Sequence, residues 1–263
     1  MNRLKNIALF SILMLYLVIM SGTISDSRKQ LLCNGYEIFI TDSLRTGFLT
    51  QDDIINILYS RVNNLGKPLS RINLEETENI LTEYLAVKSA ECYVTEDGKL
   101  HINIKHREPV VRIINAHDKS YYLDKEGFII PLSKHFSPNV IIANGNIYEP
   151  FDIGKTRNIF HQQKEFITKS RRIVFDLLKL VNYLNQSEFW TSQIEQVYVN
   201  DKYEFELIPR IGPHIILFGS ISDYKEKLEN LKTLYIESFN KSGWNDYVFI
   251  NLKFKNQIIC TKR

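Results

Sequence analysis

The sequence predicts an α+β protein: a single N-terminal transmembrane helix, then a β-α-α-β-β module, then a strand-rich second domain. Three observations carry this reading. Ile7 to Ile24 is an unbroken charge-free run. Ala90 to Lys105 alternates apolar and polar residues about an Asp97-Gly98 turn. Beyond residue 108, short extended segments dominate and two of them close the chain.

The apolar run would be about 27 Å long as a helix, close to the thickness of a bilayer's hydrocarbon core. Arg3 and Lys5 precede it, while Asp26, Arg28 and Lys29 follow. A cleaved secretory signal would have a shorter core and a small-x-small site. Ser21-Gly22-Thr23 is instead followed by another apolar residue, and Cys33 follows Leu31-Leu32 rather than small residues. The expectation is an uncleaved anchor at 7–24, with residues 1–6 inside and the body exported.

The 263 residues are 44% hydrophobic with 11 Gly and 7 Pro, so the chain beyond the run can bury a core. A net charge of +3 gives no global case for nucleic-acid binding. Three cysteines, Cys33, Cys92 and Cys260, cannot all pair internally, and their spacing fits no zinc pattern. Cys92 alternates with Ala90 and Val94 and reads as a buried small hydrophobe.

Residues 36–107 form the first module. Tyr36–Ile40 is a strand. Thr50 caps a helix, with Asp53 bonding back to it and Leu49 and Ile54 closing its start. That helix carries Ile54, Ile57, Leu58 and Val62 on one stripe and is broken at Gly66-Lys67-Pro68. Asn73 with Glu76 caps a second helix with Leu74, Ile80, Leu81, Tyr84 and Leu85 on its apolar face. The hairpin follows, so both helices should cover one sheet face.

Residues 108–263 form the second domain. Strands are expected at Val110–Asn115, Ser120–Leu123, Phe128–Pro131, Val140–Ala143, Ile194–Val199, Tyr203–Ile208, Ile215–Phe218, Tyr247–Phe254 and Gln257–Cys260. Ile173, Leu177, Val181 and Leu184 mark one helix, and another starts near Ser222. Tyr148–Ser170 resists assignment.

No segment matches a phosphate-cradling glycine loop, a nucleophile elbow or a metalloprotease helix. His101 and His106 would face opposite sides of one strand, a poor start for a metal site. Asp52-Asp53 and Glu75-Glu76 fit first-turn helix electrostatics, and Arg171-Arg172 reads as a solvated helix start. Neither an enzyme nor a bound cofactor is expected.

Three stretches resemble one family. Leu100-His-Ile-Asn-Ile-Lys-His-Arg107-Glu108-Pro109-Val110 is similar to a strand ending Glu-Arg-x-Pro-Val, with the arginine one place displaced. Tyr121-Tyr122-Leu123-Asp124-Lys125-Glu126-Gly127 is similar to a Tyr-Tyr-hydrophobic-Asp-x-x-Gly turn. Ile250 to Phe254, followed by Asn256-Gln257-Ile258-Ile259, is similar to an Asp-Leu-Arg-aromatic closing hairpin, with Asn251 and Lys253 where aspartate and arginine are usual. Together they resemble the bacterial cell-division family FtsQ/DivIB, in which a POTRA domain precedes a β domain.

The resemblance implies a non-enzymatic divisome scaffold in the inner (cytoplasmic) membrane at the septum, its body periplasmic. It would bind FtsB- and FtsL-type partners and link early and late division proteins for septal wall synthesis. In that family FtsB adds an extended segment beside the last strand. Gln257–Cys260, as the last strand here, would offer such an edge. The residues expected to take part are Phe249, Phe254, Gln257, Ile258, Ile259 and Cys260. The rival reading is an export or outer-membrane assembly factor whose POTRA module binds polypeptides by strand addition.

Overall fold

A computed structural model describes residues 10–16, 31–41, 47–149, 151–161, 168–239 and 243–263. Residues 10–16 form a short helix, α1, with exposed side chains. At about 1.5 Å per residue it spans roughly 10 Å, a third of a hydrocarbon core. No helix among the described residues is long and apolar enough to cross a membrane. The predicted transmembrane helix at 7–24, and the inner-membrane location derived from it, are corrected accordingly. The remainder of that run, residues 7–9 and 17–24, lies outside the described residues, as do residues 1–6.

The chain divides into two compact units, Met1–His106 and Arg107–Arg263. In the first, strand β1 (Gly35–Ile40), helices α2 (Gln51–Arg61) and α3 (Leu74–Thr82), and strands β2 (Val87–Val94) and β3 (Lys99–His106) follow in order. The expected capping box is present: Thr50 Oγ1 accepts from Asp53 N at 3.2 Å, and Thr50 N donates to Asp53 Oδ2 at 2.8 Å. Asn73 likewise caps α3 by accepting from Glu76 N.

The sheet order is β1-β3-β2, with β1 parallel and β2 antiparallel to β3. Even-numbered strand residues Ile38, Ala90, Cys92, Leu100, Ile102 and Ile104 pack with Ile54, Ile57, Leu58, Ile80 and Leu81 of the helices. Cys92 is a buried free thiol, pushed up to about 12 by desolvation. The odd-numbered residues occupy the other face of the sheet.

The second unit holds β4 (Pro109–Ile114), β5 (Ser120–Asp124), β6 (Ile129–Ile130), β7 (Ile141–Gly145), α4 (Lys169–Leu184), α5 (Glu188–Gln193), β8 (Ile194–Val199), β9 (Phe205–Pro209), β10 (Ile215–Gly219), α6 (Tyr224–Leu234), β11 (Tyr247–Asn251) and β12 (Ile259–Lys262). Their nine strands form one sheet in the order β12-β11-β10-β9-β8-β7-β4-β5-β6. Ile173, Val174, Leu177, Leu178, Val181 and Leu184 of α4, and Leu228 and Leu231 of α6, pack on its core face against Val111, Ile113, Val197, Leu207, Ile216 and Ile250.

The final strand is displaced two residues from its expected place. Asn256 takes a left-handed φ of 60°, so the turn extends through it and pairing begins only at Ile259. Within the unassigned stretch, Ile159–His161 is a single 3-10 turn with Ile159 fully buried.

Candidate partner-binding edge

β11 binds two strands, β10 in parallel and β12 antiparallel, while β12 has β11 as its sole neighbour among the described residues. The direction of each backbone group follows from alternation along a strand. Leu252 N donates to Leu217 O at 3.0 Å, so even-numbered positions here address β10. Phe249 and Asn251 therefore address β12, where they face Thr261 and Ile259. Arg263 N donates back to Asp246 O at 3.0 Å, in step with Ile259 and Thr261. Cys260 and Lys262 are left with N–H and C=O groups directed away from the sheet.

The side chains of this hairpin divide between two faces. Ile258 and Cys260 pack against the core, Cys260 opposite the fully buried Ile250. Burial raises the Cys260 thiol. Phe249 and Ile259 share the other face; Phe249 is half-buried and aligned with Ile215, and Ile259 is 43% exposed. Phe254 is exposed in the turn. With Gln257 and Ile258 it lines a shallow groove of about 120 Å³ against Ser222, Glu226, Lys227 and Asn230 at the start of α6. The six expected residues thus lie on one hairpin but not on one surface.

Asn251 and Lys253 stand where the family resemblance has aspartate and arginine, and each has its own partner. Lys253 Nζ meets Glu204 Oε2 at 2.5 Å, and this hydrogen bond is the main reason the Glu204 carboxyl is held low. Asn251 Oδ1 accepts from Lys253 N at 3.0 Å. The turn is thereby tied to the β8–β9 connection.

Beneath the hairpin lies a group that sequence reasoning missed. His214 is 1% exposed, its Nε2 is 2.7 Å from Tyr235 Oη, and Phe239 and Trp244 pack about its ring. Among the described residues its Nδ1 has no hydrogen-bond partner. Desolvation lowers the imidazole to about 4 and raises the Tyr235 phenol. Phe239 stacks on Tyr247 of β11 at 5.0 Å, which joins this cluster to the hairpin. Residues from 214 to 247 meet only through tertiary folding, so no local spacing signals them.

The hairpin thus presents an open backbone edge beside partly exposed apolar side chains, at the end of a strand-rich unit that lies beyond a β-α-α-β-β module. The family described as FtsQ/DivIB, C-terminal related, matches residues 108–261, and a POTRA-like domain matches residues 31–105. No curated protein matches the chain. The first match covers more than half of the sequence, and the chain belongs to the FtsQ/DivIB family. It is a division-related POTRA protein.

Proposed function

We propose that this protein is a non-enzymatic divisome scaffold that captures an extended segment of an FtsB- or FtsL-type partner by strand addition to β12. The observation that carries the reading is the outward-facing backbone of Cys260 and Lys262 on a strand with one described neighbour. An added strand would gain three or four backbone bonds at about 0.5–1.5 kcal/mol net each. Micromolar affinity needs about 8 kcal/mol, so apolar anchors must contribute the difference. In this reading Ile259 and Phe249 on the open face, and Phe254 beside the groove, would contribute it.

Lys262→Pro removes one outward donor and leaves the ladder with β11 intact. We expect it to weaken binding of an FtsB-type peptide about two- to tenfold, by roughly one lost backbone bond. Lys262→Ala keeps the donor and should bind like the parent. Equal affinity for the Pro and Ala variants, with the fold intact, would remove strand addition. Filamentous growth on depletion would favour division over the export reading.

A further inference from the structure

We infer that the POTRA-like unit carries a divalent transition-metal site, suited to Zn²⁺, formed by Glu37, Asp97 and His101. The three residues come from β1, the β2–β3 turn and β3, and their ligand atoms all lie within 4.8 Å of one another. Strand pairing creates the arrangement. Glu37 is the register partner of His101 across the parallel β1–β3 pair, and Asp97 lies four residues before His101 at the hairpin turn. Sequence spacing suggested only the His101–His106 pair, whose members lie on opposite faces.

Two of the ligands are held in place. The His101 ring lies between Tyr93, centroid 5.1 Å away, and Phe39, at 6.2 Å, both nearly parallel to it, and its side chain is only 12% exposed. Asp97 Oδ1 accepts from the Thr95 hydroxyl and from Lys99 N, which leaves Oδ2 directed at His101 Nε2, 3.4 Å away. Zinc–nitrogen and zinc–oxygen bonds of about 2.0–2.2 Å place two ligands of a tetrahedral ion about 3.4 Å apart. That pair already has the separation. Supporting contacts of this kind, which fix a ligand's orientation, are what tune metal affinity.

A cation already occupies the approach. Lys99 Nζ lies 3.0 Å from Glu37 Oε2 and pairs with it. A divalent ion would take the place of the ammonium and bridge β1 to the hairpin. One imidazole with two carboxylates suits zinc or cobalt; magnesium and calcium require six or more oxygens. Exposure of Asp97 and of Glu37 gives the ion a direct path from solvent.

Titration of the full chain with zinc chloride in a non-chelating buffer, followed by calorimetry, tests the site. We expect one equivalent to bind, with affinity reduced at least about tenfold in His101→Ala and in Glu37→Gln. Lys99→Met should tighten binding about two- to fivefold, because an exposed competing ion pair of modest strength is removed. A merely structural role for the triad predicts no such gain. Absence of uptake by the parent protein, or parent-like uptake by both ligand variants, would overturn the assignment. So would a Lys99→Met variant that binds no more tightly.

Discussion

Arg107 Nη1 donates to Asp124 Oδ2 at 3.0 Å, with the two side chains only 9% and 5% exposed. The guanidinium carbon also sits 3.5 Å above the centre of the Phe128 ring. Asp124 Oδ1 accepts from Glu126 N and Phe128 N, so one carboxylate both neutralises the arginine and shapes the β5–β6 turn. Two stretches that look separate in the sequence are one electrostatic unit.

Removing one charge of that pair should cost more than the pair is worth, because the other stays buried without compensation. Asp124→Asn retains an acceptor for the turn but strands Arg107. We expect a loss of about 3–5 kcal/mol in urea-induced unfolding. A loss under about 1 kcal/mol would show that the arginine finds water.

His214 makes stability depend on pH, and the sign is fixed by its lowered value of about 4. Between about pH 6.5 and 4 the unfolded chain binds a proton that the folded chain refuses. Stability from this group is therefore complete above pH 6.5 and falls as pH drops toward 4, by no more than about 3 kcal/mol. Thermal unfolding across that window should show the loss, and His214→Phe should flatten it. An equally steep profile in the variant would assign the effect to other groups.

Gly145 cannot be replaced. Its φ is +98°, and a Cβ there would lie 2.3 Å from Val199 O of the neighbouring strand, a backbone atom that cannot move aside. Gly145→Ala should destabilise by at least about 2 kcal/mol in denaturant titrations. Gly35 has nothing within 4 Å of the same position, and Gly35→Ala should change stability by under about 1 kcal/mol.

Thr50→Ala removes the acceptor for Asp53 N at the start of α2. A cost of about 1 kcal/mol in unfolding free energy is expected, and Thr50→Ser should recover most of it. Parity between the Ala variant and the parent would mean that tertiary packing, not the cap, fixes the helix start.

Much of the first unit was legible because its signals are local. Thr50 and Asp53 are three residues apart, and Asp97-Gly98 sits between alternating runs, so helix start and hairpin turn could be read directly. α5 escaped notice because Glu188–Gln193 is too short to display a helical period. The last strand was misplaced because Gln257-Ile258-Ile259-Cys260 suits a strand in composition, whereas its register was set by pairing with β11.

By itself the sequence determined the α+β alternation of elements, the caps and turns that bound them, and the likeness to one family, since each is encoded within a few residues or in the order of segments. Tertiary structure decided which backbone groups of β12 face outward, that Arg107 answers Asp124, that His214 is buried under the hairpin, and that Glu37, Asp97 and His101 converge. Contacts between residues far apart in the chain depend on strand register and packing, and neither is written in local periodicity.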